Sequence, residues 1–320
     1  MPNDSDLTMS ELLKDAPKNW GRWGEDDEFG ALNFLDASEA LRGVASAHSG
    51  KVFTLQTPVG TDKGDPVTLS RHGAIRRQTV DVNSFRTGDR DINPGGSKWA
   101  DDYFEMFCQG TSQYDGLGHV WYDEQIYNGY SAETTAGGLS KASVAPVGRH
   151  GIVGRGVLLD MARYRDKEYL DRFETFGLDD LLECAKEQGV QIEKHDIILI
   201  RTGWIPSYFH RDPEEYFHPF SEPGLVYSKE LVEWFHDMEI PNLVTDTMGN
   251  EITFDPNNGF KLLLHAALMR NLGVTMCELV MMDELGDDCA KDGQYTFLYA
   301  AAPIVIEKAS GSPVNPIVVK

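Results

Sequence analysis

The sequence predicts an α/β fold with a heavy β content. Short apolar runs rich in β-branched residues recur from residue 51 onward, and helical periodicity appears between them in the second half. No internal repeat or Pro/Gly/Ser linker divides the 320 residues. A chain of this length, 41% hydrophobic, has ample material for a large core.

The first fifty residues form an arm with two short helices. One starts at Ser10–Leu13, and a second follows a cap at Asp36 or Ser38 and runs through Ala40 and Leu41. Residues 51–320 then read as a single domain. Its strands are VFTLQTPV (52–59), GVLLDMA (156–162), DIILIRTG (196–203), NLVTD (242–246), VTMCELVMM (274–282) and TFLYAAAPIVI (296–306). Helical spacing is clearest at 178–188, 228–238 and 260–272. In the last, Leu262, Leu263, Ala266, Leu268 and Met269 recur on one face. Such alternation builds a parallel or mixed sheet. Residues 61–110 are polar and irregular and read as long loops over the site.

The 29 basic and 51 acidic residues leave a net charge of −22. Phosphate backbones and anionic membranes repel such a chain, which argues against nucleic-acid and membrane partners. No apolar run has the length to cross a bilayer. The start, MPNDSDLTMSELLKD, lacks the basic and apolar regions of a secretory signal. Cys108, Cys184, Cys277 and Cys289 contain no CxxC pair. The expectation is a cytoplasmic protein with reduced thiols.

The densest polar cluster is CQGTSQYDGLGH (108–119), which offers Gln109, Gln113, Asp115 and His119. Side chains at i and i+2 of an extended segment share a face, so Gln113 and Asp115 can converge. Aspartate and histidine together hold divalent cations and move protons. The competing reading is a glycine-rich turn with incidental polar groups. A second pair is His265, mid-helix, and Glu278, in an apolar strand where a carboxylate needs a cation or strong donors. For each alone, a core histidine and a structural salt bridge are the plainer readings. The aromatic tail after His119, including Trp121 and Tyr122, suits either a flat substrate or ordinary packing. His150 is a candidate for orienting substrate or a turn residue. Arg71, Arg76 and Arg77 could attract a carboxylate or simply be solvated.

The segments Asn19–Asn33, Gly156–Asp160, Arg201–Trp204, Ala301–Pro303 and Gly311–Val314 occur in an order that resembles the cyclase family. This is the family that contains bacterial kynurenine formamidase and isatin hydrolase, here in its longer-chain branch. The resemblance implies a swivelling β/β/α fold, a barrel-like mixed sheet flanked by helices, with the N-terminal arm packed on a neighbouring subunit of a homodimer or homotetramer. Its hallmark His-x-Gly-Thr-His-x-Asp-x-Pro-x-His falls on Gln109, Gln113, Asp115 and His119. Both early histidines are glutamine here, the Gly-Thr pair is displaced by one residue, and Leu117 replaces the proline.

By that resemblance Gln109, Gln113, Asp115, His265 and Glu278 hold the metal, His119 is the acid/base, and Trp121, Tyr122 and His150 touch substrate. The implied activity is hydrolysis of an amide, cyclic imide or lactone in a small, aromatic molecule. Glutamine oxygen is harder than imidazole nitrogen, so Mn²⁺ or Mg²⁺ gains on Zn²⁺ and a metal-free site is a further possibility. The backbone at Gly116–Gly118 is the candidate oxyanion donor. Two alternatives remain: a metal-free ligand-binding relative, and a non-hydrolytic cyclase or dehydratase using His119 alone.

Overall fold

The computed structural model describes residues 7–68 and 70–320. The first six residues of the expected arm lie outside the described residues. The strands are β1 (Val52–Thr54), β2 (Ile75–Val80), β3 (Asp101–Glu105), β4 (Gln113–Asp115), β5 (Ile152–Asp160), β6 (Thr175–Phe176), β7 (Ile197–Arg201), β8 (Gly224–Leu225), β9 (Asn242–Thr245), β10 (Thr275–Glu278), β11 (Thr296–Ala301), β12 (Gly311–Pro313) and β13 (Ile317–Val319). Nine of them form one curled sheet in the order β1-β13-β11-β5-β7-β9-β10-β4-β12, flanked by helices.

The centre of the sheet, β5-β7-β9-β10, is parallel. Parallel neighbours need crossovers, and helices Leu178–Glu187 and Lys229–Asp237 and the helical segment around His265 lie between successive strands. Both faces of the centre are covered. Val157, Leu159, Ile198, Ile200, Leu243 and Met276 pack with Leu181, Leu231, Phe235 and Leu268. Their neighbours Leu158, Ile197, Leu199, Val244 and Cys277 pack with Val147, Leu285 and Cys289 on the other side. Coverage of both faces makes these strands read as unbroken apolar runs.

Three sequence expectations change. The run expected at 156–162 begins at Ile152, because β11 pairs along its whole length from Ile152↔Ala301 to Val157↔Thr296. The run expected at 296–306 ends at Ala301, ahead of Pro303, which has no N–H to give a ladder. Residues 61–110 are not all loop: β2 and β3 form an antiparallel ribbon with helix Val82–Arg86 between them. All but one of the ribbon's strand residues are exposed, so it carries no alternating pattern for a sequence to reveal.

Within the chain, the arm packs on the sheet. Asp36 caps helix Ala37–Ala45 through the N–H groups of Ser38 and Glu39. Ahead of it, Ala31 N–H donates to the Gly273 carbonyl at 2.8 Å, just before β10. Gly30 sits at φ +60°, and a Cβ there would fall 2.4 Å from the Gly273 oxygen. Gly30→Ala is therefore expected to cost about 1–3 kcal/mol through strain and clash. Denaturant unfolding checks this, and unchanged stability would mean that the arm is not held at this contact.

Candidate active site

Polar residues end the four parallel strands, where α/β sheets place their sites. Three are committed to structure. Asp160, closing β5, pairs with Arg201, closing β7, at 2.8 Å. Asp246, just past β9, accepts from the N–H groups of Thr202 and Gly203 at 2.7 and 2.6 Å. Glu278, closing β10, instead faces the antiparallel neighbour β4.

The register sets Gln113 opposite Glu278, and strand alternation sends Asp115 to the same face. His265 arrives from a buried π-helical turn, His265–Arg270, a rare geometry that recurs at functional sites. Ligand atoms of Asp115, His265 and Glu278 all lie within 4.8 Å of one another. On the turn after β4, His119 places Nε2 3.8 Å from Asp115 Oδ2. The His119 side chain is 24% exposed while Asp115 is 1% exposed, so the site opens on the His119 side.

Two residues that the sequence did not single out brace this cluster. Glu251 accepts from His265 Nδ1 at 2.6 Å and from the N–H groups of Leu264 and His265 at 2.7 and 3.0 Å. It thereby turns Nε2 of His265 toward Glu278, 3.2 Å away. Asn250 donates from Nδ2 to Glu278 Oε1 at 3.1 Å. Neither residue stands in a pattern readable from sequence, since each reaches the site from a loop thirteen or more residues away.

Burial alone would push the His265 imidazole down, but the hydrogen bonds and charges of Glu251 and Glu278 outweigh it and raise its pKa. Burial raises the Glu278 carboxyl, and repulsion from Asp115 adds to the rise, against the bonds from His265 and Asn250. His119 moves the other way. Burial lowers it, and the charges of His265 and Arg71 add to the effect while Asp115 opposes it. The ring facing solvent is thus held neutral, while the ring behind it is held protonated.

Gln109 and Gln113 lie beside the cluster, each presenting its amide nitrogen to an acid. Gln109 Nε2 donates to Asp115 Oδ1 at 3.3 Å and to Ser310 Oγ at 3.1 Å, and Gln113 Nε2 donates to Glu278 Oε2 at 2.5 Å. Tyr122 is clamped elsewhere: its hydroxyl donates to Asn271, and the Arg270 guanidinium lies 3.7 Å from its ring centre. Trp121 is 42% exposed, and His150 packs against Phe29 with ring centres 5.6 Å apart. Two of the expected oxyanion donors, the Gly116 and Gly118 N–H groups, are otherwise engaged. The N–H groups of Gly116, Gly118 and His119 donate to the carbonyls of Ser310, Ala142 and Gly116.

The donor set fits a hard divalent cation. One imidazole and two carboxylates converge, and Gln113 Oε1 and Asn250 Oδ1 are buried with no hydrogen-bond partner. Turning either amide over presents that oxygen to the cluster.

The Cyclase family model, described as "Putative cyclase", matches residues 40–252, and the chain belongs to this family. A solved structure described as a novel cyclase is 32% identical, covers 95% of this chain and 98% of its own, and superposes with a TM-score of 0.85. Isatin hydrolase A from Labrenzia aggregata, bound to benzyl benzoate, is 16% identical over 90% of this chain and 98% of its own, with a TM-score of 0.58. Isatin hydrolase A from Ralstonia solanacearum is 17% identical over 84% and 91%, with a TM-score of 0.57. At these identities the two hydrolases share the fold. A search of curated proteins finds no match. Among the described residues no helix is long and apolar enough to cross a membrane.

If the cluster holds a divalent cation, Glu251→Gln should weaken that binding about 10- to 100-fold, the usual worth of a carboxylate that orients a ligating histidine. Calorimetric titration reads this directly. Affinity equal to the wild type would reduce Glu251 to a cap for the helix.

Proposed function

We propose that this cyclase-family protein is a metal-dependent hydrolase that opens an amide, cyclic imide or lactone bond in a small, aromatic substrate. The reading is carried by the buried Asp115–His265–Glu278 cluster with His119 at its solvent side. Those three side chains, with Gln113 and Asn250 as reserve oxygen donors, would hold the ion. Their oxygen-rich character favours Mn²⁺ or Mg²⁺ over Zn²⁺. A bound divalent cation polarises a carbonyl and lowers the pKa of water.

The remaining work falls to the chain itself. Neutral His119 accepts a proton at Nε2 from the attacking water and returns it to the leaving nitrogen or oxygen. Glu251 fixes the tautomer and direction of His265. A cavity of about 480 Å³, lined by Gln56, Arg76, Phe104, Met106, Thr111 and Pro313, supports a small ligand with an apolar body. Pro313 is the register partner of Gln113, although no residue of the cluster itself lines this space. The isatin hydrolases that share the fold lend analogy to imide opening. A cytoplasmic homodimer or homotetramer acting on a small molecule completes the proposal.

A second reading has one observation in its favour. Gln109, Gln113, Asn250 and His265 already donate to the two carboxylates, an arrangement that also suits a metal-free ligand-binding protein. Elemental analysis of purified protein separates the two, since near-stoichiometric metal supports the hydrolase. A screen of formanilides, isatin-like imides and lactones with Mn²⁺, Zn²⁺ or Mg²⁺ then tests the chemistry.

Three outcomes are expected once a substrate is found. His119→Ala lowers turnover by roughly 10²- to 10⁴-fold, and near-normal turnover would remove it as the acid/base. Because its pKa is depressed, His119 stays neutral below the ordinary histidine value of 6.5. The acid limb of kcat/KM should accordingly lie below that pH, and a limb at or above it would count against His119. Replacing both Gln109 and Gln113 with histidine should shift competitive binding from Mn²⁺ toward Zn²⁺. An unchanged preference would mean that neither side chain faces the ion.

A further inference from the structure

Beside the cluster stands a cation that the chemistry above leaves unused. Arg71 is carried on the loop between β1 and β2, and the buried Asp65 pins that loop by accepting from the N–H groups of Gly60 and Ala74, both at 2.7 Å. The His72 ring packs edge-on against Phe107, with centres 4.9 Å apart. Together these contacts hold the loop over residues 107–109. Arg71 Nη1 donates to the Gln109 carbonyl at 3.0 Å, and the side chain of that same Gln109 bonds Asp115, the neighbour of His119.

Among the described residues the Gln109 carbonyl is the guanidinium's one hydrogen-bond partner, and it has no carboxylate within salt-bridge distance. Nε and Nη2 are left to fork onto a carboxylate, a geometry that lysine cannot reproduce. Arg76, the basic residue of this group that lines a cavity, is already paired with Asp102 at 2.8 Å. In a chain of net charge −22, an anion meets repulsion over most of the surface, so a positive group at the mouth of the site is a local exception.

We propose that Arg71 is a carboxylate subsite, and that the preferred substrate is an amide, imide or lactone bearing an anionic group beside its scissile carbonyl. This rests on the hydrolase reading and narrows it.

The test compares formanilide with its ortho-carboxylate on Mn²⁺-loaded wild type, Arg71→Gln and Arg71→Lys. The wild type should favour the carboxylate in kcat/KM. In Arg71→Gln that preference should fall at least tenfold, chiefly through KM, with partial recovery in Arg71→Lys. Equal losses on both substrates, or no preference in the wild type, would overturn the subsite. Calorimetric binding of benzoate keeps the test alive if neither compound is hydrolysed, an outcome that would count against the hydrolase reading alone. Benzoate affinity lost in Arg71→Gln and kept in Glu278→Gln supports the subsite. The reverse pattern would seat the anion on the ion and refute it.

Discussion

Burial of two carboxylates at one end of the sheet is the constraint on which the rest of the site depends. Asp115 and Glu278 lie almost out of reach of water, and burial together with the nearby charge of Asp115 raises the cost of ionising Glu278. An uncompensated pair of this kind would cost several kcal/mol. The fold answers with donors on every side: Gln109 on Asp115, and Gln113, Asn250 and His265 on Glu278. Glu251 then balances His265 in turn. A cation belongs at the centre of such an arrangement, whether it is the His265 imidazolium or a bound metal ion. The same arithmetic explains why His119 is kept neutral: burial disfavours its charge, and the cationic His265 and Arg71 add to that against the pull of Asp115.

The scaffold can carry this load because its parallel centre is covered on both faces. Alternate residues of β5, β7, β9 and β10 enter two separate cores, so these strands are rigid and their ends are fixed. At three of the ends, charge is absorbed by the pair Asp160–Arg201 and by the Asp246 bonds to the following backbone. The fourth end turns to β4 and becomes the candidate site. Helical geometry yields there as well, since the π-turn carries His265 at the wall of the site.

Much of this was legible beforehand. The central strands announced themselves as apolar runs, and Gln113, Asp115, His265 and Glu278 were identified from composition, spacing and family resemblance. The structure gathers those four into one place, with His119 alongside. Glu251 and Asn250 were not legible, because their value lies in contacts to residues far along the chain. Nor was the β2–β3 ribbon, whose exposed strands lack a buried face to imprint a period on the sequence. Nor were the tertiary partners of the Gly116 and Gly118 N–H groups, expected as oxyanion donors, which no local pattern displays.

The sequence by itself determined the α/β class, the acidic surface charge and the short list of side chains able to hold an ion or move a proton. These follow from local periodicity and residue chemistry, which neighbouring residues carry with them. Only the tertiary structure decided how those side chains face one another. It turned the amide nitrogens of both glutamines toward the acids, oriented His265 through Glu251, and brought Arg71 over Gln109 from a loop near the start of the domain. Hydrogen bonds and Coulomb forces act over a few ångströms of space whatever the separation along the chain, so their pairing is fixed only once the chain has folded.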